Sequence, residues 1–276
     1  LEVGYRLIPL VDKAQGGQLM NRIKGVRKKL TQELGFLIPS VHIRDNLDLS
    51  PNAYRISLMG VSVTEAEIYP ERELAINPGQ VYGTIQGIPG KDPAFGLAAV
   101  WINPGQRDEA QTLGYTVVDA STVVATHLNQ ILQEHGHQLL GREEVQHLLN
   151  NLAKTSPKLV EDLVPNILPL GVVVKVLQNL LEENVPIRDI RTIAESLADT
   201  ATKSQDPATL TELVRTAIGR VIIQKINGNR LNETRNDLGC FNHCPFIRYG
   251  FLQCEVTARP GRTDAMEQPA FIGVEC

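Results

Sequence analysis

The first 239 residues of this 276-residue chain contain no cysteine, and all four cysteines fall in the last 37 residues. A body without cysteine argues against a secreted fold held by disulfides and favours the cytoplasm. An excess of basic residues is missing too, because the formal net charge is −4. Since proteins that bind nucleic acid usually carry such an excess, we expect no nucleic-acid partner.

Long uncharged hydrophobic runs are also absent. The longest candidates, residues 93–104 and 163–174, contain proline and glycine and fall short of the roughly 18 residues of a membrane-spanning helix. Residues 1–11 include Glu2 and Arg6 and show no cleavage pattern, so we expect no signal peptide. The opening Leu1 suggests a fragment. The composition, 42% hydrophobic and 21% charged, is typical of a soluble protein, and the length allows two or more domains.

The first half of the chain has the pattern of an α+β fold. Apolar residues at helical spacing over residues 19–34 predict a helix that ends at Gly35. Alternating or apolar runs bounded by turn residues predict strands over residues 3–7, 36–44, 54–63 (turning near Gly60), 74–76, 97–102 and 115–118. The opening order of strand, helix, strand and strand favours an α/β sandwich with the helix on one face.

Helical periodicity dominates from about residue 120. Asp119 or Ser121 can cap a helix whose predicted buried stripe includes Val124 and Leu128. Thr126 lies about 200° around this helix from Val124, so we expect it to face outward. The remaining apolar stripes, at residues 145–152, 173–181, 187–201 and 210–221, predict an all-helical unit.

Residues 160–197 have the clearest helical pattern in that unit. Their two apolar stripes predict a pair of antiparallel helices that pack on each other. Asn184 ends the first helix. Pro186 suits the first turn of the second helix, where its missing N–H costs nothing, and Asp189 would lie in the same turn.

Residues that could carry chemistry are few. The glycine-rich residues 81–92 match no phosphate-binding loop. His135 and His137 form the only close histidine pair, which we interpret as a solvated helix end, with a metal site as the alternative. Cys240 and Cys244, with a histidine between them, could hold a metal, but their spacing matches no common zinc module. We therefore expect no enzyme activity, no cofactor and no metal.

Seven segments carry a resemblance to a known family. They are LEVGYRLIPLVD, VHIRDNLDLSPNAYRI, LAINPG, DPAFGLAAVWI, TVVDASTVVATHLN, VEDLVPNILPL and KVLQNLLEENVPIRDIRTI, and together they run from residue 1 to about 226. In this order they resemble the cytoplasmic region of the FHIPEP/LcrD-type family of type III export-gate proteins. The words VHIRDN and STVVATHLN are more similar to the flagellar branch than to the virulence-type homologues, which remain an alternative.

The resemblance implies a multi-domain α+β architecture. A split α/β sandwich domain would take residues 1–70 and 120–139, a small inserted domain residues 71–119, and an all-helical domain residues 140–225. The family's fourth domain has no recognisable counterpart, so residues 226–276 are predicted to be an aberrant or truncated tail. The whole protein would be anchored in the bacterial inner membrane, with this region as a soluble, ring-forming module on the cytoplasmic face.

The resemblance also implies a function and a site. Family members dock flagellar export chaperones that carry late substrates such as flagellin, and they act with components of the export ATPase complex. The docking residues carried over are Asp92, Phe95 and Thr126, and a turn position would leave the Phe95 ring exposed as an anchor. A weaker resemblance assigns subunit or substrate contacts to Arg27, Lys28 and Lys29, which otherwise form part of a solvated helix face. A metal-binding protein that uses the cysteine-rich tail is a further alternative.

Overall fold

The structure is a computed structural model that describes residues 1–12 and 17–224. The strands are β1 Glu2–Val3, β2 Arg44–Asp45, β3 Ala53–Leu58, β4 Val61–Glu67, β5 Glu73–Ile76, β6 Ile88–Lys91, β7 Ala98–Ile102 and β8 Thr116–Asp119. The α-helices are α1 Ile8–Val11, α2 Gln18–Leu34, α3 Arg107–Thr112, α4 Ala120–Glu134, α5 Gly136–Leu139, α6 Arg142–Ala153, α7 Pro157–Glu161, α8 Leu170–Glu182, α9 Ile190–Thr200 and α10 Pro207–Ala217. The α+β fold class is confirmed. The domain boundaries stay a prediction.

The strands form two four-stranded sheets. The first has the order β2-β1-β3-β4, with β1 and β2 parallel and the other pairs antiparallel. The second has the order β6-β7-β5-β8 and is antiparallel throughout. The predicted turn near Gly60 is confirmed, since it separates β3 from β4 and has a positive φ of 85°. Glycine tolerates this conformation because it has no Cβ.

The second sheet divides its residues between two cores. Leu74 and Trp101 point into the main core, whereas their neighbours Ala75 and Ile102 pack into a small separate core with Ala110 of α3. Successive side chains of a strand point to opposite faces, so this alternation is the expected result of a sheet covered on both sides. One face of the sheet therefore packs on α3 and the other face packs into the main core.

The predicted strand over residues 36–44 is wrong for all but its last residue. Phe36 and Ile38 are buried and Leu37 is 73% exposed, which is the alternation of a strand. The backbone of Ile38, however, bonds to α2: its N–H donates to Thr31 Oγ1, and its carbonyl accepts from Arg27 Nη2 (2.8 Å). Side chains of the helix therefore take the hydrogen bonds that a neighbouring strand would have supplied.

The first predicted strand is also shorter than expected. Only Glu2 and Val3 pair with neighbouring strands, and residues Tyr5–Leu7 form a 3₁₀ helix. Leu7 is buried, and its N–H donates to the carbonyl of Gly4, so the turn brings a large side chain into the core. The alternating pattern over residues 3–7 is compatible with a strand and with a 3₁₀ helix, because it indicates only which side chains are buried.

The two helices of the stretch 160–197 are present as α8 and α9. Asn184 follows the end of α8 with a positive φ of 59°. Pro186 does not begin the next helix: α9 starts at Ile190, and the carboxylate of Asp189 caps it by accepting from the N–H of Thr192. The residues before it run across the end of α2, where Ile187 N–H donates to the carbonyl of Leu34 (2.9 Å).

The end of α2 fits against this connection. Gly35 has a φ of 97°, and a Cβ built there would lie 2.6 Å from the backbone nitrogen of Arg188. Both the conformation and the lack of space require glycine. Elsewhere in the helical region, the stripe predicted over residues 210–221 comprises Leu210, Leu213, Val214, Ala217, Ile218 and Val221. Leu210, Val214 and Ile218 are buried, but Leu213 is 38% exposed, so the prediction is wrong for that residue.

Candidate functional site

Asp92 organises the loop that joins β6 to β7. Its side-chain Oδ2 accepts from the N–H of Phe95 (2.9 Å), and its carbonyl accepts from the N–H of Gly96 (2.8 Å). Its own N–H donates to the carbonyl of Leu97 (2.8 Å). Gly96 has a φ of 69°, the left-handed conformation that closes such a loop. One buried residue, 3% exposed, thus sets the conformation of residues 92–97.

The same loop presents its apolar side chains outward. Phe95 is 62% exposed and Leu97 is 41% exposed, although both are large and hydrophobic. The predicted exposure of the Phe95 ring is confirmed. Exposed aromatic rings on a rigid loop are typical of anchors that insert into a partner, because little entropy is lost when they are buried.

Thr126 lies in the middle of α4. Of the two predicted capping residues, Asp119 and Ser121, the structure has Asp119 as the N-cap: its carboxylate accepts from both the N–H and the hydroxyl of Thr122 (2.9 Å each). Val124 and Leu128 are buried as expected. Thr126 is half-buried, so the prediction that it faces outward holds only in part, and its neighbours Ala125 and His127 are buried. The helix is therefore covered over a wider arc than its apolar stripe indicates.

His127 connects α4 to the first sheet. Its Nδ1 shares a hydrogen bond with the hydroxyl of Tyr54 on β3 (2.6 Å), and the two rings meet edge to face with centroids 5.7 Å apart. Burial lowers the pKa of His127, while the nearby carboxylates of Asp92 and Glu134 act in the opposite direction. Burial raises the pKa of Tyr54, and the charge of Asp92 raises it further.

Sequence reasoning did not select Tyr54 or His127 as site residues. One available signal is helical spacing, since His127 lies three residues after the buried Val124 and so had to face the interior. A buried imidazole needs a hydrogen-bond partner. No pattern in the sequence identifies that partner, because Tyr54 is 73 residues away.

The basic residues of α2 do not act alike. Arg27 is half-buried and donates to the carbonyl of Ile38, so it supports the backbone after α2. Lys28 and Lys29 are exposed, and Lys29 approaches Glu33 at 3.7 Å. Of the three residues predicted to contact a subunit or a substrate, Lys28 and Lys29 are therefore exposed, and Arg27 is not.

The alternative metal sites gain no support. The rings of His135 and His137 lie 6.4 Å apart, and the Nδ1 atom of each is buried without a hydrogen-bond partner among the described residues. Residues 1–12 and 17–224 contain no group of three or more side chains able to hold a metal ion together. The cysteines at positions 240, 244, 254 and 276 and the predicted tail lie outside the described residues. In the described part of the chain, no helix is long and apolar enough to cross a bilayer.

Two solved structures share the fold of this chain. The structure is similar to that of a Chlamydia pneumoniae protein, CdsV, solved in a complex with CdsO: the TM-score is 0.71 and the identity 25%, over 81% of this chain and 70% of that one. A nonameric structure of SctV-C from EPEC shares the fold, with a TM-score of 0.60 and 22% identity over 80% of this chain and 65% of that one.

The family follows from the sequence comparison. This chain belongs to the FHIPEP family, whose model matches residues 1–234. It is 56% identical over 225 residues to the flagellar biosynthesis protein FlhA of Escherichia coli K12, which covers 82% of this chain and 32% of that protein. It is 52% identical over 274 residues to FlhA of Proteus mirabilis, covering 99% of this chain and 39% of that protein. The chain thus spans about a third of the length of these curated relatives.

The Proteus match bears on the end of the chain. An alignment that covers 99% of the chain includes the region after residue 226, so this segment has a counterpart in at least one relative. That residues 226–276 are an aberrant or truncated tail stays a prediction.

Proposed function

We propose that this chain is the docking part of a flagellar type III export gate and that it receives export chaperones loaded with late substrates such as flagellin. The observation that carries the proposal is the exposed Phe95 ring on a loop held by the buried carboxylate of Asp92. The identities of 52–56% to flagellar relatives, against 25% to the Chlamydia protein, support the flagellar branch over the virulence-type one.

In this proposal the three predicted site residues have different tasks. Phe95 contacts the partner directly, because 62% of its surface is exposed. Asp92 acts through the loop, because it is only 3% exposed and its oxygen is bonded to the Phe95 N–H. Thr126 lies on α4 and is half-buried, so only part of its side chain can contact the partner. The chain binds without chemistry of its own, so neither enzyme activity nor a cofactor is part of the proposal.

Assembly is a further part of the proposal. The related SctV-C structure is nonameric, and the related CdsV structure contains a second protein, CdsO. By analogy the chain forms a homo-oligomeric ring on the cytoplasmic face of the inner membrane and contacts components of the export ATPase complex. Lys28 and Lys29 present exposed positive charge for such contacts, whereas Arg27 is held by the backbone.

The test is the affinity of the purified chain for a chaperone–flagellin complex, measured by calorimetry. We expect Phe95→Ala to weaken binding about tenfold or more, as truncation of an aromatic anchor typically does. Asp92→Ala and Thr126→Ala should weaken it by smaller factors. Leu47→Ala is the matched control, since Leu47 is 79% exposed but lies on the loop between β2 and β3. Wild-type affinity in all three site variants would refute the assignment.

A further inference from the structure

The loop between β6 and β7 closes as a hairpin with a tightly bonded turn. The strand pairing continues into the loop, because the N–H of Asp92 donates to the carbonyl of Leu97 (2.8 Å), and residues 93–96 span the turn between them. Two further bonds cross the turn. The N–H of Phe95 donates to Asp92 Oδ2 (2.9 Å), and the N–H of Gly96 donates to the Asp92 carbonyl (2.8 Å). The backbone on both sides of the Phe95 ring is therefore held in one conformation.

Gly96 lets the chain make this turn. Its φ of 69° lies in the left-handed region, which disfavours a residue with a Cβ by about five- to thirtyfold. A Cβ built at this position would have no atom within 4 Å apart from its chain neighbours. Glycine is therefore favoured here by the backbone conformation and not by a lack of space.

Leu97 is a second exposed apolar side chain on the same loop. Because side chains alternate along a strand, Leu97 continues the row of Ala99 and Trp101, which are buried in the main core. Leu97 itself is 41% exposed, so the cover of this row ends before it reaches the loop. Phe95, two residues earlier, is 62% exposed. The loop thus carries an apolar surface made of two large side chains.

We infer that Phe95 and Leu97 contact the partner together, as one apolar anchor, and that Gly96 is the positioning residue that fixes one side chain relative to the other. The inference rests on the proposed function, and the occupant of this surface is the same chaperone–flagellin complex. Continuity on a single hydrogen-bonded loop favours one partner for both side chains. The matching surface of the partner is apolar, since neither side chain has a polar atom to pair.

The contact role of Leu97 is tested by truncation. We expect Leu97→Ala to weaken binding of the chaperone–flagellin complex about fivefold in calorimetry, less than Phe95→Ala because less of the side chain is exposed. Leu213→Ala is the matched control, since Leu213 is a leucine of similar exposure (38%) on α10, and it should bind as the wild type does. A Leu97 that only completes the core would lower stability in urea denaturation without lowering affinity.

The positioning role of Gly96 has a readout that needs no partner. The amides of Asp92 and Phe95 both donate within the loop, so their hydrogen exchange measures its opening. Gly96→Ala should accelerate this exchange about tenfold, because alanine disfavours the left-handed conformation. The amide of Ile187, which donates to the end of α2, should exchange as in the wild type. Binding should weaken about threefold or more, since the competent loop conformation is less populated.

A second glycine and a second substitution provide the controls. Gly60 has a φ of 85° and equally open surroundings, but it lies in the turn between β3 and β4. Gly60→Ala should therefore leave both the exchange of the Asp92 and Phe95 amides and the affinity unchanged. Gly96→Asn should recover part of the protection and part of the affinity, because asparagine tolerates the left-handed conformation better than alanine does.

The outcomes separate this inference from the proposed function. If Phe95→Ala binds the complex as tightly as the wild type, the docking surface itself is wrong. If Phe95→Ala binds weakly but Leu97→Ala binds normally, the docking surface stands and the two-residue anchor is wrong. The positioning role is overturned if Gly96→Ala leaves either the loop exchange or the affinity as in the wild type.

Discussion

The α8–α9 helix pair and the surface around Phe95 use their buried residues in opposite ways. The helix pair buries aliphatic side chains, such as Val176, Leu177 and Leu197, which have no polar atoms to satisfy. The loop around Phe95 buries the carboxylate of Asp92 and leaves the aromatic ring outside. Apolar burial gives stability that tolerates small shifts, whereas hydrogen-bonded polar groups specify one arrangement. The helix pair therefore contributes stability, whereas the Asp92 carboxylate specifies the conformation of the loop that carries Phe95.

The largest effect on stability should come from the helix pair. Leu177 is fully buried in α8, so Leu177→Ala removes apolar contacts and leaves a cavity. We expect the free energy of unfolding to fall by about 2–5 kcal/mol, measured by urea denaturation. The control is Leu213→Ala on α10, where 38% exposure should limit the loss to about 0.5 kcal/mol. Below its unfolding transition, Leu177→Ala should bind the chaperone–flagellin complex with the wild-type affinity, because Leu177 contributes to stability only.

Asp92 should give the next largest effect. Asp92→Ala removes the acceptor for the Phe95 N–H inside a buried loop, and the expected cost is about 1–3 kcal/mol in urea denaturation. Asp92→Asn keeps an oxygen that can accept from this N–H and should retain most of the stability. If both variants are equally destabilised, the charge of Asp92 matters more than the bond that it accepts.

A smaller effect should appear on acidification. Burial lowers the pKa of His127 below its ordinary value of 6.5, so the unfolded chain takes up a proton more readily than the folded one. This contribution to stability is present above about pH 6.5 and is lost as the pH falls through the lowered pKa. The charges of Asp92 and Glu134 reduce the effect, since they favour the protonated ring. Thermal unfolding at pH 7.5 and pH 5.5 should show a larger loss in the wild type than in His127→Asn.

The smallest effect on stability should come from Phe95 itself. Because the ring is mostly exposed, Phe95→Ala should change the free energy of unfolding by no more than about 0.5 kcal/mol. The same variant should show the largest loss of partner binding. A loss of stability as large as that of Leu177→Ala would mean that Phe95 belongs to the core, and the contrast between the two regions would disappear.

The sequence predicted the parts of the fold that depend on local spacing. The helix that ends at Gly35, the turn at Gly60 and the cap at Asp119 follow from patterns within a few residues. The sequence failed where a distant group takes a backbone hydrogen bond. Ile38 bonds to α2 instead of a strand, and Ile187 bonds to the end of α2 instead of starting a helix. The residues adjacent to Ile38 and Ile187 give no signal from which these hydrogen-bond partners could be predicted.

The candidate site divides in the same way. The exposure of Phe95 could be predicted from its turn, because a loop tip rarely buries its side chains. The burial of Asp92 could not be predicted, since a carboxylate in a turn is ordinarily solvated. Nor could the pairing of Tyr54 with His127, which depends on how the first sheet meets α4.

The hydrogen bond from the Ile187 N–H to the Leu34 carbonyl has a consequence for the order of events during synthesis. The residues of α2 leave the ribosome before Ile187, whose N–H follows about 150 residues later, and closing so long a loop is entropically costly. At roughly 5–20 residues per second the delay is about 8–30 s. During that interval the carbonyl of Leu34 lacks the partner that it has in the folded protein, and the end of α2 is bounded by water on that side.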